Sequence, residues 1–486
     1  MPRLRLSLLC ALALGAAPLT ASAQPVSDAR PTPASGTASP TAGAPTAGAP
    51  DAAPEPETAL FPNVRPPDRR GLNVFEPAKS DADRLGEGDP RLRLGAAFTQ
   101  PFQDLHHSNT ALARMTPNTA TPAPGDSLDL NGLMDIGAGF NTASANLTFD
   151  ALLADGVHVN VVTYLSSRHH NEAWVKGGYI QVDAARFLGS PLVDEAFRYL
   201  TLRVGHYEVN YGDAHFRRTD NGNALHNPFV GNYILDAFTT EIGGDVMVRH
   251  AGVLAMAGVT GGEIKGDVTA PDGRSLAFIG KVGVDRQLTP DLRVRLTGSG
   301  YHNGNAASST LYGGDRAGSR YFFVLENTQA TTTAQAFSGV VNPGFRESVT
   351  ALQLNPFVKY RGLELFGVLE RASGRTLNEG EGIGRAWTQV AADAVYRFLP
   401  QEQAFVGARY NVVSGPLAGP AVAGQVATAG PDVSVRRFEL GGGWFPTRNI
   451  LLKGEYVRQD YTDFPGLDIR SGGEFHGVMV EGVVSF

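Results

Sequence analysis

Apolar and polar residues alternate through most of the chain after Arg91, most clearly in its last stretch. Counting back by twos from Phe486 gives Val484, Gly482, Val480 and Val478, while Ser485 and Glu481 take alternate positions. Side chains point to opposite faces along a strand, so this period makes one face fit for lipid and one fit for water. The same texture recurs in runs separated by two kinds of connection. Short ones fall at Asp155-Gly156, Ala251-Gly252, 287–291, Arg361-Gly362, 398–403 and 445–449, several with the residues that tight hairpins require. Longer polar stretches rich in Gly, Asn, Asp and Ser occupy 101–131, 211–245, 261–274, 302–346, 373–385, 414–432 and 462–473. Short turns alternating with long loops predict an all-β fold, a transmembrane antiparallel up-and-down β-barrel of about 16 strands with short periplasmic turns and long outer loops. An even strand number puts both ends of the barrel on the periplasmic side. A barrel of this size encloses water, whereas one of about eight strands is filled by its own side chains. The strand pattern is weakest over 132–153, where the second strand belongs, and over 179–202, where a connection containing Pro191 intervenes.

The alternation also assigns faces. Where Leu292, Val294, Leu296 and Gly298 meet lipid, Arg293, Arg295, Thr297 and Ser299 point inward. The same logic turns inward Lys281 and Asp285; Gln353, Asn355 and Lys359; Glu364 and Glu370; Gln389, Asp393 and Arg397; Arg437 and Glu439; and Lys453, Glu455 and Gln459. An Arg or Lys facing lipid near the midplane costs about 2 to 4 kcal/mol, so these residues belong on a wet wall. Both signs are interleaved there, and Arg203, Lys281, Arg293 and Arg295 are its most electropositive group.

Ahead of the alternating region the chain changes character twice. Arg3 and Arg5 precede an apolar run over 6–17, and Ala21-Ser22-Ala23 supplies small residues before Gln24, the pattern of a secretory signal peptide over 1–23. A run that short cannot cross a hydrocarbon layer about 30 Å thick as a helix. Residues 24–57 are mostly Ala, Pro, Thr, Gly and Ser with a repeated Thr-Ala-Gly-Ala-Pro, too poor in apolar surface to fold. With the polar stretch that follows they make a Pro/Ala-rich disordered periplasmic tether over 24–88, and the barrel takes 89–486.

Composition narrows the function classes. The one cysteine, Cys10, lies in the signal peptide, which leaves no disulfide, thiolate or zinc-thiolate chemistry for the mature chain. The formal charge of -7 falls to about -9 without Arg3 and Arg5, which speaks against nucleic acid as a partner. No cofactor is expected. His106-His107 and His169-His170 are adjacent pairs whose rings diverge, without a third ligand at metal spacing. Ser299, Tyr301 and His302 are the nearest approach to a nucleophile with a base, and such neighbours arise by chance.

One segment carries a specific likeness. Leu202-Arg203-Val204-Gly205-His206-Tyr207-Glu208-Val209-Asn210-Tyr211-Gly212, followed by a long loop, resembles the phosphate-selective porins O and P and their relatives. Residues 236–248, with Glu241-Ile242-Gly243-Gly244, and Ala257-Gly258-Val259-Thr260-Gly261-Gly262 resemble the next hairpin of that family, and the ending at Phe486 resembles the strand signal that barrel assembly machinery reads. The resemblance implies a trimeric channel in the outer membrane, reached by export, through which small hydrophilic solutes diffuse. It also implies arginines and lysines that bind anions on the wall and on an inward-folded loop. The candidates here are Arg203, Lys281, Arg293 and Arg295 on the wall with Arg217 and Arg218 in the loop, and the sharper expectation is a preference for anions such as phosphate. The loop lacks the family's dense lysine run and adds Asp213, Asp220 and Asp236. A competing expectation is a barrel whose long loops act as a surface receptor or adhesin. Partners on either view are outer-membrane lipid and, for a channel, solutes or anions in a homotrimer.

Overall fold

The computed structural model describes residue 61 and residues 63–79, 91–117, 127–166, 173–266, 273–313, 320–332, 338–380, 383–419 and 427–486. The expected signal peptide, the tether as far as residue 60 and the pair His169-His170 lie outside the described residues.

Sixteen long strands follow one another and close a barrel. They are β1 (Arg91–Ser108), β2 (Ser144–Ala154), β3 (Val157–Leu165), β4 (Trp174–Val182), β5 (Leu200–Glu208), β6 (Thr240–His250), β7 (Val253–Thr260) and β8 (Ala277–Thr289). The second half comprises β9 (Leu292–Asn303), β10 (Ser348–Tyr360), β11 (Leu363–Arg375), β12 (Arg385–Phe398), β13 (Ala404–Ala418), β14 (Ala429–Thr447), β15 (Ile450–Thr462) and β16 (Glu474–Ser485). Each pairs antiparallel with the next, and β1 pairs with β16 from Ala97↔Ser485 to Ser108↔Glu474. Phe486 completes the seam, exchanging backbone hydrogen bonds of 2.9 Å with Ala96 in both directions. A two-residue strand, Gly139–Phe140, adds to β1, and the helix α1 (Pro191–Phe197) occupies the connection between β4 and β5, with Pro191 at its first turn.

Period-two alternation decides the two faces. Val282, Leu296, Leu354, Leu369, Val390, Leu440, Leu452 and Val480 are exposed on the outer wall, a belt suited to lipid. Tyr360, Tyr396 and Trp444 border it near the periplasmic turns, where amphipathic rings are favoured. Every inward assignment made from the alternation holds: Lys281, Arg295, Thr297, Asn355, Glu364, Glu370, Asp393, Arg437, Glu455 and Gln459 are buried inside. No described helix is long and apolar enough to cross a membrane. The tight turn at Ala251-Gly252 has φ of 48° and 76°, the two left-handed residues that suit the twist of a hairpin.

The outer ends of the strands run further than the sequence pattern predicts. β1 continues through Pro101, Gln103 and Asp104 to Ser108, and β13 continues to Ala418. Above the lipid belt both faces of a strand meet water or loop, so the apolar alternation fades while the hydrogen-bonded ladder goes on. β6 likewise starts at Thr240, inside a stretch read as loop. A larger correction concerns the tether. Residues 63–79 are packed inside the barrel, with Phe75 and Asp68 buried, rather than lying as a solvated part of a spacer. Phe61, Leu72, Val74 and Phe75 give this piece the apolar anchors that the Pro/Ala run lacks.

Candidate functional site

Among the described residues, three segments occupy the lumen in layers. On the periplasmic side, residues 61–79 touch one sector of the wall after another. Phe61 sits edge-on to His158 at 5.7 Å and beneath the Arg93 guanidinium at 5.0 Å. Arg69 donates its backbone N–H to the Arg448 carbonyl at 2.9 Å, and Ser485 Oγ donates to the Pro67 carbonyl at 2.5 Å. The Asn73 amide donates to Glu364, and its oxygen accepts from Arg217. Glu76 pairs with Lys281 at 2.8 Å and Arg295 at 2.6 Å. Lys79 donates to the carbonyls of Asp183, at 2.6 Å, and Leu200.

The middle of the lumen is taken by the connection 209–239, which leaves β5 and folds inward. It turns at Gly212, where φ is +71° and an added Cβ would strike the Gln353 side chain, so this glycine of the sequence motif is required by the turn. A buried loop must find partners for its backbone, and the charged wall supplies them. Lys453 donates to the carbonyls of Ala224, Asn227 and Phe229 at 3.1, 3.0 and 2.6 Å. Glu455 accepts from Val230 N–H at 2.6 Å, Asn411 from Ile234 N–H at 2.7 Å, and Gln389 from Leu235 N–H at 2.9 Å. Tyr233 donates to Asp393 at 2.9 Å, while Arg409 donates to the Gly231 carbonyl at 3.0 Å.

Above that loop lie the described parts of 304–347. The Tyr321 hydroxyl lies 2.8 and 2.7 Å from Glu439 and Glu455, its one proton shared between them, and Tyr312 donates to Glu370 at 2.7 Å. Val341 N–H reaches the Ile234 carbonyl at 2.8 Å, tying the outer loop to the middle one.

The six candidate cations fall into two sets. Lys281, Arg293, Arg295 and Arg217 converge where the periplasmic segment meets the middle loop. Asp213 is their hub: it accepts from Lys281 at 2.7 Å, from Arg295 at 2.8 Å and from Thr297 at 2.7 Å. Arg293 grips Asp285 at 2.6 Å and donates to the Asn73 carbonyl at 2.9 Å, while Arg217 lies 3.5 Å from Glu364 and over the Phe366 ring. Arg203 and Arg218 lie apart. Arg203 pairs with Asp245 at 2.7 Å over the Tyr207 ring, and Arg218 pairs with Asp236 at 2.5 Å. Burial would raise both Glu76 and Asp213, but Lys281 and Arg295 outweigh it, holding Glu76 at about 2 and Asp213 well below the usual carboxylate range.

Two cavities open on the periplasmic side of this cluster. The larger, about 740 Å³, is lined by Lys79, Arg186, Arg198, Arg249, Arg293 and Arg295 against Glu76, Asp183, Asp194 and Asp285. The smaller, about 280 Å³, has Arg69, Arg70, Arg293, Lys359 and Arg397 against Glu364 and Glu402. Arg293 lines both, and cations outnumber carboxylates in each. The alternation pattern found Arg293, Lys359 and Arg397. It missed Glu76, Arg69, Arg70 and Arg249, whose signal was the charge and aromatic density of 61–79 and a turn-end arginine in β6.

His106 and His107 point apart as adjacent strand residues must: His106 stacks on His476 at 5.9 Å, and His107 receives the Leu325 N–H at 2.8 Å. Among the described residues no three His, Cys, Asp or Glu side chains converge as metal ligands do.

The closed wall, apolar outside and charged within, and the in-folded connections define a sixteen-stranded transmembrane barrel. No protein-family model and no curated protein matches the chain. Solved structures similar to it include an anion-selective porin from Comamonas acidovorans, at 12% identity and a TM-score of 0.45 over 82% of this chain and 100% of that one. OmpT, an outer membrane protein of Vibrio cholerae, matches at 10% identity and 0.44 over 83% of this chain and 100% of that one. The outer membrane channel DcaP of Acinetobacter baumannii matches at 10% identity and 0.43 over 82% and 99%. At such values the likeness is architectural, and what this chain does has to be argued from its own lumen.

Proposed function

We propose that the chain is an outer-membrane porin, a channel for passive diffusion of small hydrophilic solutes with a preference for anions, phosphate among them, and that it works as a homotrimer without chemical catalysis. The single observation that carries this is the excess of fixed cations over carboxylates around the two cavities beside the periplasmic segment, with Arg293 shared by both. Guanidinium groups stay charged at any working pH and bind oxyanions through paired N–H donors. At physiological ionic strength the Debye length is about 8 Å, so these nearby charges govern a passing ion while the acidic total does not. The cations closest to the centre, Arg295 and Lys281, are already neutralised by Asp213 and Glu76. The rim cations Arg249, Arg293 and Arg397 likewise face Asp183, Asp285 and Glu364, so the preference is modest and comes from the cations that outnumber carboxylates around the two cavities.

Planar-bilayer recording of the full chain tests the channel itself: discrete ion steps are expected. Silent bilayers from correctly inserted protein would contradict it and favour the receptor or adhesin reading.

A further inference from the structure

The lipid-facing wall is unevenly padded. Across β8 to β12 the register places Gly280, Gly300, Leu352, Arg371 and Thr388 in one row, and Gly298 lies one outward position nearer the periplasm than Gly300. No atom lies within 4 Å of where a Cβ would stand at Gly280 or Gly298. The missing side chains leave a groove of about 710 Å³ whose walls include Leu352, Leu369 and Val390, all exposed. Its floor is apolar, and on its outward-facing lining the charge belongs to Arg371, next to Thr388.

The height of Arg371 gives that charge a meaning. β11 rises from Leu363, and Leu363, Leu365 and Leu369 face outward before Arg371 does. At about 3.4 Å per residue and a tilt near 40°, Arg371 stands about 20 Å above the periplasmic border of an apolar band about 25 Å tall. It therefore reaches the headgroup level of the outer leaflet. Among the described residues no carboxylate pairs with it. A second protein copy seated here would bury that guanidinium against an apolar wall, which is costly without a carboxylate to meet it. A phosphorylated lipid brings the two things the site lacks, a chain for the groove and an anion for the arginine.

We propose that this groove binds an anionic phosphorylated lipid of the outer leaflet, one acyl chain lying along Gly280, Gly298 and Gly300 and the headgroup phosphate meeting Arg371 with Thr388. The inference rests on the outer-membrane placement and not on conduction. The full chain in detergent is titrated with diphosphorylated lipid A, bound lipid is counted by native mass spectrometry, and phosphatidylcholine serves as the zwitterionic control of zero net charge. One lipid A per chain is expected. Arg371→Gln should weaken it about tenfold, the worth of a charge-assisted hydrogen bond, while Arg371→Lys keeps most of the binding. Gly298→Leu, which leaves the charge and fills the groove, should weaken it at least as much; Gly280→Leu does the same if the first variant fails to insert. Phosphatidylcholine binding should not differ between the wild type and the two arginine variants. Equal lipid A binding by wild type, the arginine variant and the groove-filled variant would overturn the proposal. So would high-yield disulfide dimers from Leu352→Cys in intact membranes, because they would assign the groove to a second copy.

Discussion

Asp213 shows how little of the lumen's electrostatics follows from counting cations. It lies on the in-folded loop, and its carboxylate holds Lys281, Arg295 and Thr297 at once. Asp213→Asn would leave two buried cations short of a partner, a change worth about 3 to 5 kcal/mol; a lowered unfolding midpoint in detergent checks this, and an unchanged midpoint contradicts it. Glu76 works the same way with a definite pH window. Its ordinary value is 4.5 and the folded value about 2, so its ion pairs contribute fully above the ordinary value and are lost as pH falls through the folded one. Titrating the full chain from pH 7 to pH 4.5 should leave residues 61–79 in place, and stronger acid should release them, as pepsin cleavage within the segment would report. At the seam, Phe486 pairs with Ala96. Deleting it should lower membrane-inserted protein far more than an equal deletion within 24–57, and equal insertion would remove the assembly-signal expectation. At this scale the sequence was legible for orientation, because alternation places each side chain on one face. It was illegible for partners, because Asp213 and Glu76 reach the wall from segments whose path no periodicity encodes.

Among the elements, the strands and their turns were readable where one face meets lipid, and less so where the ladder rises clear of the membrane, as in β1 beyond Pro101 and at the start of β6. The segment 61–79 has no period that would set it apart from the tether, yet Phe75 is fixed between Phe216 and Phe357, at 5.8 and 5.3 Å. Phe75→Ala together with Glu76→Gln should loosen the segment and raise unitary conductance severalfold over the wild type. Identical conductance would mean that it does not obstruct the path. The outer loop has its own titration. Burial raises Glu326 from 4.5 to about 7, partly opposed by the Ser338 hydroxyl at 3.0 Å. A carboxyl raised on folding favours the folded loop while protonated, so docking weakens as pH climbs from the ordinary value through the raised one. Amide exchange in 320–332 should therefore quicken between pH 5 and pH 8 beyond its intrinsic trend, and Glu326→Gln should abolish that excess.

For the whole molecule, the sixteen-strand closure followed from turn spacing and from an even strand number, whereas the filling of the lumen did not. Loop length says that a connection can reach inward, but its course depends on which wall residues satisfy its backbone, as Lys453, Glu455, Gln389 and Asn411 do for 209–239. The lumen that results is filled by in-folded segments, with carboxylates cancelling its central cations and a surplus of positive charge at its periplasmic cavities. The reversal potential of the full chain in a planar bilayer under a tenfold KCl gradient reads that surplus directly. A modest shift toward the chloride equilibrium potential is predicted, reduced when Arg293 and Arg397 are both changed to Gln. A wild-type potential displaced toward the potassium value would contradict the account.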